Sequence, residues 1–134
     1  MRYMLDTNVA SAALKGVPRI DARLAELGAD EWCISAVTRA ELRYGVALRP
    51  AAVRLARYVD AFLQAAWTAP WDALAADQHG RVRARLRLAG TPIGDFDEMI
   101  AAHALAVGAV LVTDNTRHFE RVEGLALENW IRDQ

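Results

Sequence analysis

Ala109-Val110-Leu111-Val112-Thr113-Asp114 is five uncharged residues closed by an acid. A half-buried strand alternates apolar and polar residues. A short continuous apolar run instead implies a strand covered on both faces, as in a parallel sheet with helices above and below. Residues 2–5 repeat the theme: a strand that stops at Asp6. Trp32-Cys33-Ile34 is a third such run, bounded by Ser35. A last short strand is predicted over 125–128. The stretch 67–71 contains Pro70 and reads as an edge strand or a loop.

Helical segments lie between these runs. Thr7 or Asn8 can cap a helix over 9–14 that Gly16 ends. Pro18 opens the next, with Ile20, Leu24 and Leu27 at helical spacing and Gly28 closing it. Helices are predicted over 36–48, stopping before Pro50, and over 51–66. A long one, capped by Asp72, runs to about residue 89, and another runs from Asp95 to Val107, where Gly108 stops it. This alternation predicts an α/β fold. Four to five strands form a small, mostly parallel sheet flanked by helices on both sides, in one domain over residues 1–134.

The composition agrees. The chain has 134 residues, 54% apolar and 25% charged, which suits a packed core and excludes a disordered chain. No apolar run reaches the length of a membrane span. Asp6 interrupts the only leader-like stretch, so a cytoplasmic location is expected. The single Cys33 cannot form an internal disulfide and reads as a small buried hydrophobe. A net charge of -1 argues against generic polyanion binding. The basic residues are nearly all Arg, with Lys15 the only lysine. Arg suits bidentate phosphate contacts, though gene base composition would give the same bias.

Function is carried by four acids. In open α/β sheets the active crevice lies beyond the carboxyl ends of the strands, where Asp6 and Asp114 both fall. Glu41 shares a helical face with Val37, Tyr44 and Leu48. A carboxylate on an apolar stripe must be paired, protonated or on a metal. The competing reading makes residues 38–41 a capping box that starts the helix late. Asp97 follows Asp95 within a helix's first turn. A capping pair of Asp95 and Glu98 would explain those two acids and leave Asp97 over. Converging carboxylates repel unless a cation joins them. With no Cys or His cluster at ligand spacing, the donors suit Mg²⁺ or Mn²⁺. His79, His103 and His118 show no zinc pattern, and His103 reads as a surface or packing residue. The chemistry that follows is metal-assisted attack of water on a phosphodiester.

The same residues carry a family resemblance. Met4-Leu5-Asp6-Thr7-Asn8 is similar to the opening motif of PIN-domain ribonucleases, in particular VapC-type toxins. The stretch from Ser35 to Gly45 resembles their central helix, with Glu41 at the acidic position. Pro92-Ile93-Gly94-Asp95-Phe96-Asp97-Glu98-Met99-Ile100-Ala101-Ala102-His103 resembles the third motif, with Asp97 at the metal-ligand position. Residues 111–122 resemble the last. One position departs: where many PIN domains carry a fourth acid two residues after the threonine, this chain has Asn115. The fourth ligand is therefore open among Asp114, Asn115 and Glu120, directly or through water, with Thr7 and Thr113 as supporting groups.

The resemblance implies a Mg²⁺-dependent endoribonuclease and a homodimer. It also implies a small cognate antitoxin that blocks the acidic site, with a heterotetramer or larger assembly when the antitoxin is bound. Arg39, Arg43, Arg117 and Arg121 lie near the acidic motifs and are candidates for RNA phosphates or an inhibitor's carboxylate. Arg81, Arg83, Arg85 and Arg87 split over two helical faces and read as solvated surface. The tryptophans read as core or interface packing. Two alternatives remain. An aspartyl phosphatase would need an acid where Asn8 stands. A non-catalytic PIN module binding RNA or protein would not need Asp6, Glu41 and Asp97 intact. Nucleotide-binding folds are disfavoured, since no Gly-rich phosphate loop follows a strand.

Overall fold

The computed structural model describes residues 2–132. Its centre is β1 (Tyr3–Leu5), whose three residues are all buried. Around it lie β2 (Trp32–Ser35), β3 (Trp67–Ala69), β4 (Val110–Val112) and β5 (Leu127–Glu128). The sheet has the order β3-β2-β1-β4-β5, and every pairing is parallel. Met4 stands between Cys33 on one side and Leu111 on the other. The five strands are the expected ones, with the 67–71 stretch resolved as an edge strand that ends before Pro70. The runs at 109–113 and 125–128 shorten to three and two residues.

The helices are α1 (Thr7–Leu14), α2 (Pro18–Glu26), α3 (Ala36–Ala47), α4 (Val53–Ala65), α5 (Ala73–Leu88), α6 (Asp95–Val107) and the short α7 (Thr116–Phe119). Two apolar clusters sandwich the sheet. Met4, Cys33 and Leu111 face Val82 and Leu86 of α5, Ile100 and Ala104 of α6, and Phe119. Tyr3, Leu5 and Ile34 face Val9, Ile20, Leu42, Val59 and Phe62. Strand residues of alternate parity thus meet opposite layers, which is why the runs are apolar throughout. Cys33 is fully buried, and burial pushes its thiol up to about 12.

Several local expectations change. Asp6, rather than Thr7 or Asn8, caps α1: its Oδ1 accepts the Val9 amide hydrogen at 2.8 Å. Ser35 caps α3 by accepting from Val37, so that helix starts at Ala36 and residues 38–41 are not a late capping box. The face of α3 carrying Tyr44 and Leu48 is open, at 66% and 61% exposure, and the buried positions are Val37, Thr38 and Leu42. Glu41 therefore faces a surface cleft rather than a core stripe. The cap of α6 is Gly94, at φ 103°, a conformation that side chains resist. Glu98 is buried and reaches back past it to accept from the Ile93 amide at 3.2 Å, without Asp95 as a partner. Asp72 does cap α5.

His103 is a packing residue. Its Nε2 donates to the Pro70 carbonyl at 3.1 Å, and Ser35 Oγ lies 2.7 Å from its Nδ1. A carbonyl only accepts, so Nδ1 is left to accept from Ser35. Burial holds this imidazole below its ordinary pKa. Trp71 packs edge-on against it at 5.3 Å. One side chain thus ties α6 to the ends of β2 and β3. Arg81, Arg83, Arg85 and Arg87 are all exposed, as expected of a solvated helix.

Candidate metal centre

β1 lies in the middle of the sheet: the chain steps from it through β2 to β3 on one side and then crosses over to β4 and β5 on the other. A crevice opens at its carboxyl end, as such reversal points require. Asp6, Thr7, Asn8, Glu41, Asp97, Asn115 and Phe119 line a pocket of about 90 Å³ there. Three of the four sequence-selected acids share it, contributed by the end of β1, α3 and α6.

Asp6 is 5% exposed. Its backbone is fixed by a hydrogen bond that its amide donates to the Val112 carbonyl at 3.0 Å, and its side chain by Val9 and the Thr113 hydroxyl. Burial pushes its carboxyl up to about 6. The Thr113 and Val9 hydrogen bonds pull the other way, and the neighbouring Asp97 and Asp114 charges add to the rise. Thr113 Oγ1 also accepts the Asn115 amide hydrogen at 2.9 Å, which orients the following turn. Thr7 donates to Glu41 Oε1 at 2.7 Å and lies 3.1 Å from the Thr38 hydroxyl. Both threonines thus serve as supports for the acids.

The fourth acid stands apart. Asp114 accepts from Arg132 Nε at 2.6 Å and Nη2 at 3.0 Å, and from Asn129 at 3.1 Å. The Arg132 guanidinium holds its carboxyl below the usual range. Asp114 and Glu120 line a separate groove with Asn129 and Arg132, while Asn115 faces the acidic pocket. Among the arginines, Arg39 donates to Thr68 and Arg43 pairs with Asp60. Arg117 and Arg121 are exposed, without an ion pair among the described residues.

Sequence reasoning missed two side chains here. His118 Nε2 lies 3.1 Å from Asp97 Oδ2. It stands on α7, a helix of four residues that is too short to show a periodic pattern. Glu98 is 1% exposed, and its Oε1 has no hydrogen-bond partner among the described residues. The apolar positions around it gave the only hint of its burial.

The donor set consists of hard carboxylate oxygens, with amide and hydroxyl oxygens beside them. Among the described residues, no three His, Cys, Asp or Glu side chains close into a ready-made metal cage. A site of separated carboxylates suits Mg²⁺, which keeps several waters and takes one or two carboxylates. The raised Asp6 carboxyl fits the same reading, since a cation offsets both its desolvation and its acidic neighbours. Beside the pocket, Ala40, Glu41, Tyr44 and Phe96 form an apolar cleft of about 420 Å³.

No helix among the described residues is long and apolar enough to cross a membrane. The chain is 39% identical over 130 residues to the tRNA(fMet)-specific endonuclease VapC of Shigella flexneri, covering 97% of this chain and 98% of that protein. It is 35% identical over 131 residues to ribonuclease VapC2 of Haemophilus influenzae, covering 98% and 99%. Among solved structures, DNA-bound VapBC from Salmonella typhimurium superposes with a TM-score of 0.90 at 39% identity, covering 97% of this chain and 98% of that one. VapBC2 from Rickettsia felis, bound to a DNA fragment from its promoter, gives 0.89 at 35%, covering 97% and 99%. The family model described as the PIN domain matches residues 3–125, and with it the four motifs around the acidic pocket: the chain belongs to the PIN-domain family.

Proposed function

We propose that this chain is a divalent-metal-dependent endoribonuclease and the toxin of a toxin–antitoxin pair. The observation that carries the reading is the meeting of Asp6, Glu41 and Asp97 in one pocket at the carboxyl end of the central strand. The VapC names of its relatives support RNA as substrate. The VapBC titles of the similar structures support a cognate antitoxin.

Asp6, Asp97 and Glu41 would hold the cation, with Asn115 completing the pocket directly or through water. Mg²⁺ is the expected ion, and Mn²⁺ fits the same oxygens. The chemistry such an ion supplies is acidification of an attacking water and neutralisation of charge on the phosphate. The protein fixes the acids in advance: Val9 and Thr113 hold Asp6, and Thr7 holds Glu41. Arg117 and Arg121, both exposed, would bind the RNA backbone. The exposed Tyr44 and Phe96 beside the pocket form a face suited to cover in a homodimer or by the antitoxin.

The test is cleavage of total RNA by the purified chain in Mg²⁺, with the new ends mapped and initiator tRNA as the first defined substrate. Asp97→Asn should abolish cleavage while leaving the circular dichroism spectrum unchanged, and should relieve growth arrest on expression. Cleavage by Asp97→Asn at the wild-type rate would overturn the assignment.

A further inference from the structure

Each acid of the pocket is held by at least one hydrogen-bond donor. For Asp6 the donors are Val9 and Thr113, and for Glu41 the donor is Thr7. For Asp97 it is His118, whose Nε2 lies 3.1 Å from Oδ2. A carboxylate only accepts, so the ring nitrogen donates. The imidazole is well placed for this. Its side chain is 22% exposed, and it packs edge-on against Phe119 at 5.3 Å and 87°, a residue 1% exposed. The short helix that carries both is closed by the Glu120 amide bonding to the Thr116 carbonyl at 2.8 Å.

We propose that His118 is a positioning residue for the metal centre. By occupying Oδ2 it fixes the Asp97 carboxylate and leaves Oδ1 for the pocket shared with Asp6 and Glu41. This sets how tightly that pocket takes a divalent cation. Partners that orient a ligating carboxylate typically change metal affinity by about 10- to 100-fold when removed. The inference rests on the reading of Asp6, Glu41 and Asp97 as metal ligands, and its test separates the two.

A purely structural His118 would serve to pack against Phe119. Two substitutions divide the roles. His118→Gln keeps an N–H donor near the Nε2 position and loses the ring. His118→Phe keeps a ring on Phe119 and loses the donor. Mn²⁺ alone is titrated calorimetrically into wild type, both variants and Asp97→Asn, with the fold checked by circular dichroism. We expect His118→Phe to bind Mn²⁺ about tenfold more weakly and His118→Gln to stay near wild type. RNA cleavage at limiting Mn²⁺ should follow the same order and converge at saturating Mn²⁺. If Phe binds as wild type, or Gln weakens as much as Phe, the positioning role is wrong. If Asp97→Asn itself binds Mn²⁺ like wild type, the metal-site reading fails instead.

Discussion

Asp6→Asn should stabilise the metal-free protein at neutral pH, although it removes a central acid. In the fold the Asp6 carboxyl is pushed from 3.8 to about 6. Each tenfold change in proton affinity corresponds to about 1.4 kcal/mol, so the ionised group weighs on the empty fold by roughly 3 kcal/mol. Asn keeps the side-chain oxygen that caps α1 at Val9, so the cap survives. The folded chain holds this proton more tightly than the unfolded chain. Its contribution to stability therefore falls as pH rises from about 4 to about 6 and is level above that. Wild type and variant should be equally stable near pH 4, and the gap should open through that window. The assay is urea unfolding in EDTA. With a slope of about 1–3 kcal/mol per molar, the midpoint of the variant should lie on the order of 1–3 M higher at neutral pH. Added Mn²⁺ should raise the wild-type midpoint and leave that of the variant nearly unchanged. A variant no more stable than wild type in EDTA at neutral pH would refute the account of Asp6 as a desolvated, repelled carboxylate.

Thr7→Val removes the donor to Glu41 at similar shape, and should weaken Mn²⁺ binding about tenfold in calorimetry without altering the circular dichroism spectrum. Ser35→Ala deletes both the α3 cap and the donor to buried His103, and should cost about 2 kcal/mol in urea unfolding. Arg132→Ala breaks an ion pair whose Arg side chain is 71% exposed, so the urea midpoint should stay close to that of wild type. Ile100→Ala, fully buried between α6 and the sheet, should cost about 2–5 kcal/mol in the same assay.

The sheet was legible because burial on both faces leaves a plain mark, uninterrupted apolar runs such as 109–113. Pro18, Asp72 and Gly108 marked helix ends because each acts through its own backbone or side-chain geometry. The caps of α1 and α6 were misassigned for a common reason. Asp6 and Glu98 satisfy backbone amides while also belonging to a buried interior, and sequence spacing shows only the first kind of demand. Glu41 was singled out from a stripe that the structure leaves largely open. Tyr44 and Leu48 are apolar yet exposed, since apolar character at helical spacing does not say which neighbour, if any, covers it. Asp114 and Asn115 are adjacent in sequence and point into different clefts. That choice is made by Arg132 and Asn129, which arrive from the far end of the chain. His118 had no signal of its own, because its partner Asp97 is 21 residues away on another helix.

The order of the strands has a consequence for synthesis. The strand bearing Asp6 is made before both of its sheet neighbours, residues 32–35 and 110–112, and Asn115 and His118 come later still. The central strand stays unpaired on one side until residues 110–112 have emerged. A chain that stalls before Asn115 lacks part of the pocket's lining. The pocket can be complete only once β4 lies beside β1, because Asn115 and Phe119 follow it. That interval gives a binding partner time to meet the nascent chain before it can cut.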